Sequence, residues 1–137
     1  MHVLALPGIL HVLLDETVHP FPEDSAESFH ADLRARLGLT QEACVGLIWY
    51  GQTEKTREQE IAIRPLVHVR GTGTTVLENS CGSGSLALAL MRGDREIRIL
   101  QPCGSVLTVS REASDLAVVS GTVTLVTEGT VWIDRAE

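Results

Sequence analysis

Apolar residues recur along this chain with two different periods. Ile9-Leu10-His11-Val12-Leu13-Leu14 is a short, nearly continuous apolar run, which predicts a buried strand interrupted by His11. Residues 15–24 carry Pro20 and Pro22 and predict a loop. Phe29, Leu33 and Leu37 then return at helical spacing. Ser25 stands at an N-cap position, with Asp24 and Glu27 at the positive end, Arg34 and Arg36 at the other, and Gly38 to close. This predicts an amphipathic helix whose apolar stripe packs on a core. Residues 44–50 read as a strand and 51–59 as a solvated turn or hairpin. Ile61, Ile63, Leu66, Val67 and Val69 give a β pattern around Pro65, which argues for an edge or a bulge. Residues 71–75 read as a flexible link. Beyond residue 93, short strands are predicted at 97–100, 106–109, 116–120, 122–127 and 131–133.

One stretch breaks this pattern. Glu78-Asn79-Ser80-Cys81-Gly82-Ser83-Gly84-Ser85 leads into Leu86-Ala87-Leu88-Ala89-Leu90-Met91, strong helix formers ending at Gly93. The segment is apolar on most faces and reads as a buried helix. Gly82 and Gly84 remove side-chain bulk where it starts, so several N–H groups can converge on a small anion, and the helix dipole favours negative charge there. Cys81 stands at the edge of that field, which should lower its pKa and enrich the thiolate. The stretch therefore offers a carboxylate cradle beside a nucleophile or base. The plain alternative is a buried structural cysteine before a Gly-rich helix cap.

Composition narrows the partners. The chain has 137 residues, enough for one domain with a core, and the whole of 1–137 reads as a single strand-rich α+β domain with two helices. A net charge of -7 argues against nucleic acid or an anionic membrane as partner. Cys44, Cys81 and Cys103 form no metal-type pair, and so sparse a set suits a reducing cytoplasm. The apolar start lacks a basic region and is cut short by Pro7-Gly8, so it does not read as a signal peptide. No apolar run is long enough to span a membrane. Gly71-Thr72-Gly73 is not followed by a Lys at phosphate-loop spacing.

Cys-Gly-Ser-Gly opening an Ala/Leu helix resembles a catalytic-cysteine motif of the cofactor-independent amino-acid racemases and epimerases, the family of diaminopimelate epimerase and proline racemase. Pro7-Gly8-Ile9-Leu10-His11-Val12 resembles the stretch that opens the C-terminal half of diaminopimelate epimerase. Gln101-Pro102-Cys103-Gly104-Ser105-Val106-Leu107 resembles the segment after its central helix, and Val119-Ser120-Gly121-Thr122-Val123 and Glu128-Gly129-Thr130-Val131 resemble its late strands. The resemblance thus implies the C-terminal half of such an enzyme, a β-barrel-like sheet wrapped around a central helix. Pro-Gly-Ile-x-His with Glu-x-Ser-Cys-Gly-Ser-Gly is similar to the histidine racemases in particular.

That resemblance implies chemistry without pyridoxal phosphate, metal or other cofactor. Two cysteines work on opposite faces of an amino-acid α-carbon, one thiolate removing the proton and the other thiol delivering one. Cys81 would be one of the pair. His11 stands where the family has a histidine that helps deprotonate the other cysteine. The family's glutamate is absent at Val69-Arg70-Gly71; Glu78, three residues before Cys81, is the candidate substitute carboxylate near the thiol, the alternative being a charge that serves the helix start. Gly82, Ser83 and Gly84, with Ile9 and Arg70, are the candidate substrate-binding residues. Cys44, in a predicted strand, and Cys103, in a turn, do not fit the second-cysteine motif. The counterpart is therefore expected on another polypeptide carrying the N-terminal half, giving a heterodimer, or on a second copy; a truncated piece is the third possibility. A separate partner chain is favoured because the Pro-Gly-Ile-Leu-His stretch begins almost at Met1. The rival from another class is a non-catalytic subunit that binds an amino acid or a partner half.

Overall fold

The computed structural model describes residues 1–57, 59–113 and 116–132. In chain order the elements are β1 (His2–Leu6), β2 (Ile9–Asp15), α1 (Ala26–Arg36), β3 (Cys44–Gly51), β4 (Glu60–Val69), β5 (Thr74–Leu77), α2 (Gly82–Arg92), β6 (Glu96–Leu100), β7 (Val106–Arg111) and β8 (Ala117–Ser120). The strands form one mixed, open sheet in the order β1-β2-β3-β4-β6-β7-β8, with β5 also paired to β4. With two helices, this is a mixed α/β arrangement consistent with the α+β expectation. No helix among the described residues is long and apolar enough to cross a membrane.

Side-chain alternation divides the sheet between the helices. Val12, Leu14, Leu47, Trp49 and Leu66 point to one face, where Phe29, Leu33 and Leu37 of the α1 segment cover them. Trp49 anchors that layer, its ring 4.9 Å from Phe21 and 5.7 Å from Phe29. Leu13, Ile48, Ile63, Ile97, Ile99 and Val109 point the other way, onto Ala87, Leu88 and Ala89 of α2. β1, β2, β6, β7 and β8 all touch α2, so strands from both ends of the sheet curve toward one helix.

The route of the chain into α2 fixes the site. β6 pairs with Glu60–Ala62 at one end of β4, and β5 pairs with Leu66–Val69 at the other. The gap between them lies at residues 63–65. Glu78 N–H still reaches the Pro65 carbonyl at 2.8 Å, and from there the chain turns inward to Cys81. Pro65 is therefore neither at a bulge nor on an edge strand, as the sequence suggested. It sits in an inner strand at the one stretch where its neighbour is interrupted, so its missing N–H costs no ladder bond.

Other elements also differ from expectation. The apolar start forms β1, which pairs with β2 through a turn at Pro7-Gly8, with Gly8 at φ +86°. Residues 71–75 are expected to form a link, but Thr74 and Thr75 open β5 (Thr74–Leu77), because Gly73 at φ +66° turns the chain back along β4. The strands expected at 122–127 and 131–133 are not formed over 121–132, which has no strand partner among the described residues; Ile133 lies outside them. Apolar alternation supplies β propensity, but a strand needs a neighbour to pair with.

Candidate active site

Cys81 is the N-cap of α2. Its backbone is extended at φ -137° and ψ 102°, and its sulfur accepts the Gly84 N–H at 3.3 Å, standing where a Ser or Asp oxygen commonly caps. The Cys81 N–H donates to Gln101 Oε1 at 2.9 Å, and the Cys81 carbonyl accepts the Ser85 hydroxyl at 2.7 Å. Gln101 Nε2 donates in turn to Ser85 Oγ and to the Ile99 carbonyl. Gln101 is 2% exposed and Ser85 fully buried, so this bracket is shielded from water on every bond. Gly84 is required by contact as much as by conformation: a Cβ there would lie 2.8 Å from Ile48 Cδ1 and 3.1 Å from Cys81 Sγ.

A second set of bonds runs from the sulfur into the core. Ser83 Oγ lies 3.6 Å from Cys81 Sγ and 3.0 Å from His11 Nε2. His11 is fully buried, on the α2 face of β2, and its ring packs on Gly46, where a Cβ would come within 2.4 Å of Nδ1. Among the described residues Nδ1 itself finds no partner of hydrogen-bonding geometry. Burial lowers the His11 pKa to about 4, against a weaker opposing effect of the Gly46 backbone, so the imidazole is neutral at pH 7.

The sulfur does not behave as the helix dipole alone suggested. Burial is the largest influence and raises the Cys81 pKa; the Glu78 carboxylate adds to it, while Ser83 and the Gly84 N–H act the other way, leaving it at about 11. Cys81 is thus a thiol at neutral pH, not the enriched thiolate expected from its position. A low-dielectric site penalises the charged form more than two donors favour it.

The structure brings together most of the residues singled out in the sequence. Cys81, Ser83 and His11 form one chain of contacts, Gly84 donates to the sulfur, and Glu78 lies close enough to influence it. Gly82 and Ser83 occupy the first turn, where helix N–H groups lack intrahelical partners. Ile9 shares the His11 side of β2 by alternation and is half-buried. Arg70 stands apart: it is exposed, its guanidinium donates to Gln41 Oε1 at 3.2 Å, and His68, two residues before it, faces His30. Sequence reasoning missed Gln101 as the residue that holds the cap; a glutamine after an apolar strand carries no local signal of that role. A cavity of about 400 Å³ shares Gln101 and is lined also by Glu16, Lys55, Ile63, Arg64 and Pro102, but not by Cys81. Among the other thiols, Cys44 is half-buried with its pKa raised chiefly by burial, and Cys103 is exposed with its pKa lowered by Ser105.

Comparison with known proteins gives two findings. The family model described as the histidine racemase CntK N-terminal domain matches residues 1–132. A histidine racemase of Staphylococcus aureus (strain Mu50 / ATCC 700699) is 30% identical over 86 residues, which is 56% of this chain and 32% of that protein. The chain therefore matches about a third of the relative's length. The matched model is of an N-terminal domain, where the resemblance had implied a C-terminal half.

Proposed function

The chain belongs to the family of histidine racemase CntK N-terminal domains, and from that premise we propose that it is the N-terminal half of a cofactor-independent amino-acid racemase. Cys81 supplies one of two opposed acid–base groups, and a further half, on another polypeptide, on a second copy or on a longer chain of which this sequence is a piece, supplies the other. The diaminopimelate-epimerase-like architecture is part of this proposal; a sheet whose two ends both approach α2 supports it. The observation that carries the reading is the Cys81–Ser83–His11 chain at the mouth of a buried helix.

An amino-acid α-proton is only weakly acidic, so the developing carbanion needs electrostatic support at the carboxylate. The N–H groups of Gly82 and Ser83, with the positive end of α2, provide it. Cys81 rests as a thiol and delivers its proton to one face of the α-carbon as the opposing thiolate removes the proton from the other. The S–H bond breaks, a C–H bond forms, and the negative charge comes to rest on sulfur. There the Gly84 N–H and the Ser83 hydroxyl hydrogen-bond to it. The Ser83 hydroxyl can turn toward His11 Nε2 or toward Cys81 Sγ, so it serves the sulfur in both charge states. The reverse reaction runs the same steps backwards. Burial, with Glu78 adding to it, holds the thiol protonated in the resting state. Histidine is the first substrate to test, because the relative is a histidine racemase.

Deuterium incorporation at the α-carbon, followed by NMR in heavy water across a panel of L-amino acids, tests the reading. The chain is supplied alone and with a candidate second half. The expected result is exchange that Cys81→Ser abolishes and Ser83→Ala slows by about 10²-fold, typical for loss of one hydrogen-bond donor to a developing anion. Exchange at undiminished rate in Cys81→Ser removes Cys81 from the chemistry. A second reading, a non-catalytic amino-acid-binding subunit, draws on the burial of the thiol at 5% exposure. It predicts saturable amino-acid binding with no exchange under any pairing.

A further inference from the structure

Every residue from 121 to 132 is exposed, and among the described residues no backbone hydrogen bond ties this segment to the rest of the domain. Its apolar side chains are nearly bare: Val123 is 94% exposed, Val126 87% and Trp132 91%. Solvated segments are ordinarily polar, yet this one reads Thr-Val-Thr-Leu-Val-Thr over 122–127 and carries one charge, Glu128. It has the composition and alternation of a strand, and it lacks only a partner.

The same chain presents a matching vacancy. Among the described residues β1 pairs only with β2 and β8 only with β7, so each leaves an open edge there, and both approach α2. Open edges are usually guarded by Lys, by Pro or by a bulge. β1 is His-Val-Leu-Ala-Leu and β8 is Ala-Val-Val-Ser, with no Lys, Arg, Asp, Glu or Pro in either. Val3, Val118 and Val119 are exposed along them.

We propose that the 121–132 segment is an arm given to a second copy of this chain, where it enters as a strand between β1 and β8, and that each copy gives and receives one arm. Donor and acceptor lie on one polypeptide, so the exchange is self-complementary and closes on a two-fold axis. The arm with β1 and β8 gives about twenty residues a copy, at the low end of the roughly 20–30 a side of a standard interface. Arm and edges are both nearly uncharged, so pairing strands no buried ion. The inference does not depend on the racemase reading, and its readout is association, not activity.

Sedimentation of the full chain, of Val123→Asp and of a chain ended after Ser120 tests it, with hydrogen exchange on the full chain. The expected result is a dimer whose amides over 122–127 are protected. Val123→Asp should weaken dimerisation at least about tenfold, because a carboxylate would be taken out of water. The shortened chain should be a monomer. A monomeric full chain overturns the proposal. So does a dimer with freely exchanging arm amides, which needs no variant to fold, or one that Val123→Asp leaves equally tight.

Discussion

At Cys81 two opposing influences meet, and their magnitudes decide the state of the sulfur. A helix N-terminus and two hydrogen-bond donors favour the thiolate, and each such effect is on the order of 1 kcal/mol. Burial and a neighbouring carboxylate favour the thiol and prevail, with a pKa of about 11. Iodoacetamide labelling of the native chain, mapped by mass spectrometry, should therefore modify exposed Cys103 first. Cys81 should react slowly at pH 7, its rate still climbing about tenfold per pH unit at pH 9. Equal rates for Cys81 and Cys103 at pH 7 would contradict the assignment. Ser83→Ala removes a donor to the thiolate and should displace the Cys81 profile to higher pH; an unmoved profile would mean that Ser83 does not serve the sulfur.

The entry to α2 depends on a few small or polar residues that close-packed elements leave no freedom to change. Gly84→Ala drives a methyl group into Ile48 and the Cys81 sulfur, both buried in the packed core. The expected loss is about 1–3 kcal/mol in denaturant unfolding, the usual range for overpacking. Gln101→Leu keeps the bulk but leaves the Cys81 N–H without its acceptor, costing about 1–3 kcal/mol and loosening the cap. A neutral result for either would mean that the first turn of α2 relaxes freely. The sequence announced this element well, because Cys-Gly-Ser-Gly before Leu and Ala encodes cap and helix within a few residues. The bracket from Gln101 was not legible: its partner lies 20 residues away and is chosen by where β6 ends. The same holds for Pro65, whose place in an inner strand follows from the gap between two other strands. Arg70 shows the converse, since alternation gives two faces and only the packing of α1 decides which one is outside.

For the molecule as a whole, net charge and buried histidines make opposite demands on acid stability. The sequence pI is about 5.2, so self-repulsion falls as pH drops from 7 toward 5. If net charge governed, the chain would be most stable near pH 5. His11 and His30 are both buried, however, and burial lowers the pKa of each, His11 to about 4. A histidine whose folded pKa is depressed binds its proton more readily in the unfolded chain. Its contribution is complete above the unfolded pKa near 6.5 and is lost as pH falls toward the folded value. For His11 that amounts to on the order of 2–3 kcal/mol between pH 6.5 and 4, and His30 acts in the same direction. Surface repulsion, spread over exposed and screened charges, is the weaker effect. Urea unfolding at pH 7.5, 6.5, 5.5 and 4.5 should therefore show stability already falling by pH 5.5. Replacement of both histidines by Gln should flatten the decline even if it lowers stability at pH 7.5. A stability maximum near pH 5 in the unaltered chain would show that net charge prevails and that the two imidazoles accept protons within the fold.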